Sequence, residues 1–311
     1  MVIDKVIAIV GPTAVGKTAL SIELARQEDG EVISGDSMQV YRHLNIGTAK
    51  VTPAERAGIP HHLIDICDVD QQYSAARFKQ EANRWIEEIT RRHRLPIIAG
   101  GTGLYIQSLT DNLALGDDQG EGEGEESPIR ARWERLAAEK GNAYLWEQLA
   151  QLDPAASRKI PVGNQRRLVR ALEVIEKTGR PFSEQPQGER QADFLLIGLN
   201  TARPVLYDRI NARVDQMVHQ GLVEEARWLY EQGGPQLPAG KGIGYHELFD
   251  YFAGRCSLDE AIAKIKLDSR HYAKRQLTWF RNRMPVHWFD LVSGQDTIQD
   301  IKSVVDDWLK K

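Results

Sequence analysis

Near its start the chain reads Lys5-Val-Ile-Ala-Ile-Val-Gly11-Pro12-Thr13-Ala14-Val15-Gly16-Lys17-Thr18, an apolar run followed by a glycine-rich loop. The β-branched run predicts a buried strand, and the residues after the loop follow a helical pattern. The loop fits G-x-x-x-x-G-K-S/T, whose glycines let backbone N–H groups turn inward around a phosphate at a helix start. Lys17 would neutralise the outer phosphate oxygens, and Thr18 is placed to hold Mg²⁺. The loop predicts a polyphosphate site and leaves open which polyphosphate it takes.

Charge is distributed unevenly along the chain. The 311 residues are 41% hydrophobic, enough for a sizeable core, and carry a formal net charge of −4. Residues 116–126 hold six acids and no base, so the rest of the chain has a formal net charge of +2. This Gly/Glu segment cannot bury apolar surface and is predicted to be a disordered loop. The charge of the whole chain therefore does not exclude a nucleic-acid partner.

The cysteine content and the hydropathy of the sequence indicate in which compartment the protein acts. Cys67 and Cys256 are too few for a disulfide framework or a zinc site. No segment resembles a signal peptide or a membrane span. We therefore predict a cytoplasmic protein without a membrane partner, and we expect a monomer.

Six apolar, β-branched runs alternate mostly with helical patterns. They lie at residues 6–10, 31–34, 62–66, 95–99, 194–199 and 286–289. Such alternation predicts an α/β fold of the P-loop NTPase-like kind, with a mainly parallel sheet flanked by helices. Ligands of such folds bind at the carboxyl ends of the strands, where the glycine-rich loop begins.

The strand signal disappears between residues 113 and 191. The acidic segment is followed there by helical patterns at 129–140, 143–151 and 165–177. Asn164 can cap the last of these helices, and Gly179 can end it. We predict an inserted all-helical domain at 113–191, with the α/β core formed by 1–112 and 192–311.

Two more turns fall at the predicted ligand-binding edge of the sheet. Asp36 follows the second strand and could bind Mg²⁺ through water, accept a proton from a nucleophile, or only form a turn. The fourth strand ends in Gly100-Gly-Thr102-Gly-Leu-Tyr105, where an ATP-hydrolysing enzyme more typically has an aspartate. These glycines permit close approach of a ligand, and a purely structural turn is the alternative.

Two basic segments are candidates for anion binding. Arg209 and Arg213 are neighbours on one helical face, and two guanidinium groups there suit a diphosphate. Residues 264–283 carry seven bases against one acid with aromatic residues between them, a composition that suits an RNA backbone with stacked bases. A solvated helix face and core packing of the aromatics are the respective alternatives.

Seven blocks in order resemble the bacterial tRNA dimethylallyltransferase family. They are the loop at 11–18, Gly35-Asp-Ser-Met-Gln-Val-Tyr41, Asn45-Ile-Gly-Thr-Ala-Lys50, Pro60-His-His-Leu-Ile-Asp65, Gly100-Gly-Thr-Gly-Leu-Tyr105, Gln165-Arg-Arg-Leu-Val-Arg-Ala-Leu172 and Lys274-Arg-Gln-Leu-Thr-Trp-Phe-Arg281. The resemblance covers nearly the whole chain. It implies transfer of a prenyl group from dimethylallyl diphosphate to N6 of the adenosine just 3′ of a tRNA anticodon, with Mg²⁺ required.

The resemblance also implies roles for individual residues. Asp36 would accept the N6 proton, and the departing diphosphate would be stabilised by Thr13, Lys17, Thr18 with its Mg²⁺, and Arg209. The adenine would leave the base stack, and the positions that hold it would be Asp36, Ser37, Met38, Gln39 and Thr102. The anticodon stem-loop would contact the helical insertion at Arg130, Gln165, Arg166, Arg167, Leu168 and Val169. The acidic segment before Arg130 is longer than the family's usual connector.

Three other functions remain open at this point. The same loop and sheet would serve an ATP-dependent kinase for a nucleoside or other small molecule. A relative that prenylates free adenine nucleotides would not need the basic segments of the insertion and the C-terminal region. A nucleotide-governed RNA-binding switch would have no use for Asp36 beside the phosphates.

Overall fold

All strand pairings in the described part of the chain are parallel, and they form one six-stranded sheet in the order β3-β2-β4-β1-β5-β6. The computed structural model describes residues 4–113, 115, 127–185 and 192–311. The strands are β1 Asp4–Val10, β2 Gly30–Ser34, β3 His61–His62, β4 Leu95–Ala99, β5 Ala192–Leu199 and β6 His287–Phe289. The predicted α/β class and the parallel sheet are confirmed.

Helices cover both faces of the sheet because the side chains of a strand alternate between its two sides. Val6, Ala8 and Val10 pack on one side with helices α3, α4 and α11. Ile7 and Ile9 pack on the other side with α1, α8 and α12. The helices of the core are α1 Lys17–Gln27, α2 Pro53–Arg56, α3 Ala75–Arg91, α4 Gly103–Thr110, α8 Arg203–His219, α9 Leu222–Glu231, α10 His246–Phe252, α11 Leu258–Arg283 and α12 Ile298–Leu309.

The third strand is shorter than the sequence predicts. A strand is expected over 62–66, but only His61 and His62 pair with β2. Leu63 and Asp65 have φ values of 60° and 58°, and this left-handed backbone cannot continue a strand. The Asp65 carboxylate instead accepts a hydrogen bond from Lys50 Nζ at 2.6 Å. The apolar residues of this run are thus part of a turn.

The described residues divide into two compact units. One comprises Met1–Asn112 with Arg190–Lys311, and the other comprises Leu113–Glu189. The second unit contains α5 Pro128–Leu152, α6 Pro154–Lys159 and α7 Gln165–Thr178. Gly141, with φ 80°, interrupts α5 between the two helices predicted there. The predicted disorder of residues 116–126 concerns positions outside the described residues.

The predicted ends of α7 are confirmed. The Asn164 side chain accepts a hydrogen bond from Arg167 N, and Gly179 ends the helix with φ 66°. Leu168, Ala171 and Leu172 lie in the core of this unit. No helix in the described ranges has the length and apolar character needed to cross a membrane.

Candidate active site

The glycine-rich loop connects β1 to α1 at the carboxyl edge of the sheet. Gly11 has φ 136°, and a Cβ atom at this position would lie 2.3 Å from the Leu199 carbonyl oxygen of β5. Gly16 has φ 97° and precedes the helix that begins at Lys17. Both glycines therefore occupy backbone positions that a larger residue would strain. The strand, loop and helix predicted from the sequence are all present.

Lys17, Arg213 and Asp36 form the charged centre of this edge. The Lys17 Nζ donates a hydrogen bond to the Pro12 carbonyl oxygen at 2.6 Å. Burial, and next the nearby Arg213 guanidinium, lower the pKa of Lys17 to about 8, while Asp36 opposes this shift. Burial also lowers the pKa of Arg213, again opposed by Asp36. Two desolvated cations beside one carboxylate make this edge a natural place for an anion.

Helix α8 supplies both predicted arginines. Arg209 Nε donates to the Ala14 carbonyl oxygen of the loop at 2.8 Å. Arg213 lies one turn further along and is more buried than Arg209. Leu206, Ile210 and Val214 are buried on the adjoining face, as their spacing predicts, whereas Met217 is half-buried. The alternative of a merely solvated face therefore does not apply to Arg213.

Close backbone approach joins the turn after β2 to the turn after β4. A Cβ atom on Gly100 would lie 2.2 Å from the Gly35 carbonyl oxygen. Ser37 N donates to the Thr102 hydroxyl at 3.1 Å, and Asp36 Oδ1 accepts from Met38 N at 2.8 Å. The structure thus brings the predicted base-holding segment and Thr102 together. Gly100 serves this packing, whereas a Cβ atom on Gly101 would meet the side chain of Gln276 in α11.

Both the oxygen and the nitrogen of the Gln39 side-chain amide form hydrogen bonds. Its Oε1 accepts from the Ser34 hydroxyl at 2.9 Å. Its Nε2 donates to the carbonyl oxygens of Thr48 and Ala49 at 3.2 and 3.4 Å. The orientation of Gln39 therefore depends on the loop at residues 45–49.

Glu225 of α9 fixes that loop and was not identified from the sequence. Its carboxylate accepts hydrogen bonds from the backbone N–H groups of Asn45, Ile46 and Gly47 at 2.7 to 3.1 Å. The Tyr245 hydroxyl donates to the same carboxylate at 2.8 Å. Four donors on one carboxylate make a strong local anchor. No motif marks Glu225, because its partners lie about 180 residues earlier in the chain.

For the activity that the sequence resemblance implies, we expect Glu225→Gln to lower kcat/KM for transfer to RNA by about tenfold while leaving binding of the diphosphate donor unchanged, because the acceptor would be misplaced. The amide cannot accept from all four donors, so the loop would loosen and Gln39 would lose its fixed orientation. Loss of these partners should also reduce the free energy of unfolding by about 1–3 kcal/mol.

Steady-state kinetics and urea unfolding test this expectation, with Glu224→Gln as the control because Glu224 is an exposed neighbour on the same helix. An unchanged kcat/KM in Glu225→Gln, or an equal loss of donor affinity, would contradict this positioning role.

Gln276 of α11 connects the two glycine-rich turns. Its Oε1 accepts from Thr13 N at 3.2 Å, and its Nε2 donates to the Gly101 carbonyl oxygen at 3.0 Å. Tyr272, one turn earlier, lies close to Asp36, and burial followed by this carboxylate raises its pKa to about 12. No sequence motif predicts a role in the site for Gln276 or Tyr272, although both lie in the basic segment at 264–283.

The basic segment at 264–283 has two different halves. Lys264 pairs with Asp268, Lys266 pairs with Asp215, and Arg270 Nη1 donates to Asn211. The second half leaves most of its polar side chains accessible along a groove of about 530 Å³, which is lined by His271, Lys274, Arg275, Thr278, Trp279, Asn282 and Arg283. Among the described residues, the lysine and arginine side chains of this half have no carboxylate partner, and Arg275, Arg281 and Arg283 stack on aromatic rings.

The helical unit presents some of the predicted RNA contacts and buries others. Gln165, Arg166 and Arg167 are exposed at the start of α7. Leu168 and Val169 are 0% and 3% exposed and pack in the core of the unit. The side chains of Leu168 and Val169 are therefore directed inwards with the apolar face of α7, and the RNA contact of the stretch 165–169 stays a prediction.

Arg130 is paired within the same unit. Its guanidinium contacts the buried Glu173 carboxylate at 2.8 Å, and Arg170 contacts the same oxygen at 2.7 Å. Burial raises the pKa of Glu173, but these hydrogen bonds and charges outweigh it and the net shift is downward. Two arginines share one carboxylate, so the cluster keeps a net positive charge.

This fold and this edge define the class of protein. A parallel sheet with a glycine-rich loop between the first strand and the first helix is a P-loop NTPase-like fold. The family model described as IPP transferase matches residues 39–283. The chain belongs to the IPP transferase family.

Relatives resemble the chain over its full length. A tRNA dimethylallyltransferase of Limosilactobacillus reuteri (strain DSM 20016) is 66% identical over 308 residues, which are 99% of this chain and 100% of the relative. The crystal structure of a tRNA isopentenylpyrophosphate transferase from Bacillus halodurans has 46% identity and a TM-score of 0.73, with 99% of this chain and 97% of the other covered. A eukaryotic dimethylallyltransferase acting on tRNA has 30% identity and a TM-score of 0.84, with 99% and 80% covered.

Proposed function

We propose that the protein transfers a dimethylallyl group from dimethylallyl diphosphate to N6 of the tRNA adenosine adjacent to the anticodon on its 3′ side. One observation carries this proposal, the grouping of Lys17 and Arg213 with Asp36 at the mouth of the loop. A leaving diphosphate needs cations, and an attacking amine needs a base. The printed names of the relatives support the choice of substrate.

In the proposed reaction the N6 lone pair attacks the allylic carbon as the bond from that carbon to the diphosphate oxygen breaks. The bonding electrons leave with the diphosphate, whose growing charge is compensated by Lys17, Arg209 and Arg213. The proton of N6 passes to the Asp36 carboxylate. Much of the rate enhancement comes from holding the N6 amine in line with the allylic carbon. Gln39 and Thr102 orient the adenine for this attack.

The start of α1 fits a magnesium ion. Thr18 is exposed in the first turn of the helix, so its hydroxyl is available as an oxygen ligand beside the diphosphate oxygens. When bound, Mg²⁺ would neutralise part of the diphosphate charge. Among the described residues, Asp36 is the carboxylate that acts on both Lys17 and Arg213, whereas Glu55 acts on Arg213.

Mass spectrometry of an anticodon stem-loop incubated with the protein, dimethylallyl diphosphate and Mg²⁺ tests the proposed function. We expect one adenosine to gain one five-carbon unit. Free AMP serves as the competing acceptor and should be modified far more slowly. Modification of AMP instead of RNA would favour the adenylate-prenylating alternative, and consumption of ATP with an acceptor would favour a kinase.

Binding of the donor should weaken at alkaline pH. The pKa of Lys17 is about 8 in the ligand-free protein, and a bound diphosphate raises it because the anion favours the charged amine. The affinity for the donor is then at its maximum below pH 8. Above pH 8 it falls by up to about tenfold for each pH unit. Calorimetry between pH 7 and 9.5 checks this, with Lys17→Met expected to give a flat profile. Affinity that stays constant in the unmodified protein would exclude Lys17 from the diphosphate site.

Binding of RNA to the helical unit should depend on salt through Arg166 and Arg167. Each phosphate contact that is lost should reduce the slope of log K against log salt by about one. We therefore expect the double variant Arg166→Gln/Arg167→Gln to bind an anticodon stem-loop less tightly and with a shallower slope. Arg158→Gln, at an exposed position on α6, is the control. An unaltered slope in the double variant would mean that these arginines do not contact phosphate.

A further inference from the structure

Three potential metal ligands converge where α10 begins beside α11. His246 Nε2 lies 3.3 Å from Glu247 Oε1 and 3.9 Å from Asp268 Oδ2. These three atoms all lie within 4.8 Å of one another. None of the three residues is among those proposed to act in prenyl transfer, so the cluster needs its own explanation.

Glu247 is the unusual member of the cluster. Its side chain has no exposed surface, and its Oε2 accepts from Gly244 N at 2.8 Å. Its Oε1 accepts no hydrogen bond from the described residues, and its nearest polar neighbour is His246 Nε2, which donates only when the imidazole is protonated. A buried carboxylate oxygen without a donor is costly, so a positive group is needed at this point.

The histidine is oriented as a ligand. Its Nδ1 lies 3.0 Å from the Gly242 carbonyl oxygen, which can only accept, so Nδ1 carries the hydrogen. In the neutral ring the lone pair of Nε2 then faces the two carboxylates. A backbone carbonyl on the other ring nitrogen is the usual outer partner of a metal-bound histidine.

Asp268 also has an outer partner. Lys264 Nζ donates to its Oδ2 at 2.8 Å, and the lysine side chain is half exposed. Each of the three ligands is thus fixed by a second group, which is typical of preformed metal sites. The Lys264 ammonium also competes with a cation for Asp268.

We propose that His246, Glu247 and Asp268 bind one divalent transition-metal ion of the Zn²⁺ class, with water completing its coordination. One imidazole nitrogen and two carboxylate oxygens suit Zn²⁺, whereas Mg²⁺ and Ca²⁺ prefer oxygen ligands alone. Ligand atoms at roughly 2.0–2.2 Å from a tetrahedral Zn²⁺ lie roughly 3.3–3.6 Å apart, close to the separations involving His246. The ion would tie the turn at 242–246 to α11, independently of the proposed reaction.

Calorimetric titration of chelator-treated protein with Zn²⁺ tests the site. We expect one equivalent to bind, excess Mg²⁺ not to compete, and Zn²⁺ to raise the melting temperature. Asp268→Asn should weaken binding by at least about tenfold, the scale seen when groups that support a metal site are removed. Lys264→Gln should tighten binding because it removes the competing charge. His219→Gln, an exposed histidine on α8, is the control for surface binding.

Three results would overturn this proposal. The first is the absence of a stoichiometric binding event, which would mean that a proton neutralises the pair, in line with burial and the Asp268 charge raising the pKa of Glu247. The second is binding that Asp268→Asn leaves unchanged. The third is binding that His219→Gln abolishes, which would place the ion elsewhere.

Discussion

We expect Asp36→Asn to lower the turnover of prenyl transfer by at least about 10²-fold, the usual scale for loss of an acid–base group. Asparagine keeps the shape of the side chain, and its oxygen can still accept the hydrogen bond from Met38 N. It cannot take the N6 proton. Affinities for donor and RNA should therefore remain within a few fold of the unmodified protein.

Single-turnover kinetics with saturating donor and stem-loop measure this effect directly. Asp70→Asn is a matched control, because Asp70 is an exposed acid on the loop after β3. Turnover retained in Asp36→Asn would remove this residue from the role of base. A loss confined to substrate affinity would make it a binding residue only.

We expect Lys17→Met to lower the rate of single-turnover transfer by about 10²- to 10³-fold, the cost of removing one preorganised group from a developing negative charge. Methionine approximates the length of the lysine stem but lacks the ammonium. Lys17 already lies among Pro12, Arg213 and Asp36, so its charge is placed before the substrate arrives.

The effect of Lys17→Met should appear both in donor affinity and in the rate at saturating donor. Lys310→Met, at an exposed position near the C-terminal end of α12, is the control. A variant that reaches the full rate once donor is saturating would show that Lys17 only helps the donor to bind. Such a result would conflict with stabilisation of the leaving group.

Local sequence patterns predicted the structure at the carboxyl edge of the sheet. The strand, loop and helix around Gly11 and Gly16 follow from spacing alone, and the ends of α7 follow from Asn164 and Gly179. These features depend on neighbours in sequence, so a sequence pattern records them directly. The parallel sheet followed because strands that alternate with helices have few other arrangements.

Contacts between distant residues could not be predicted in the same way. Gln276 reaches Thr13 across 263 positions, and Glu225 reaches Gly47 across 178. Neither has a local pattern, and either could have been a surface residue. The predicted end of β3 is wrong for a related reason, because the left-handed turn at Leu63 depends on the packing around it.

The mismatch between the predicted RNA contact at Leu168 and Val169 and the burial of their side chains has a different cause. Their role was transferred by resemblance as part of a continuous stretch, while helical periodicity places Leu168 on the inward face of α7. A contact stretch on a helix has to be assigned one residue at a time.

A crystal structure of the protein with an anticodon stem-loop, Mg²⁺ and a non-reactive analogue of dimethylallyl diphosphate tests the central claim most directly. We expect the diphosphate to lie within the loop at 11–18, in contact with Lys17 and Arg213. We also expect an unstacked adenine with N6 within hydrogen-bond distance of an Asp36 carboxylate oxygen. A diphosphate bound away from this loop, or an adenine that remains stacked with Asp36 facing solvent, would contradict this claim.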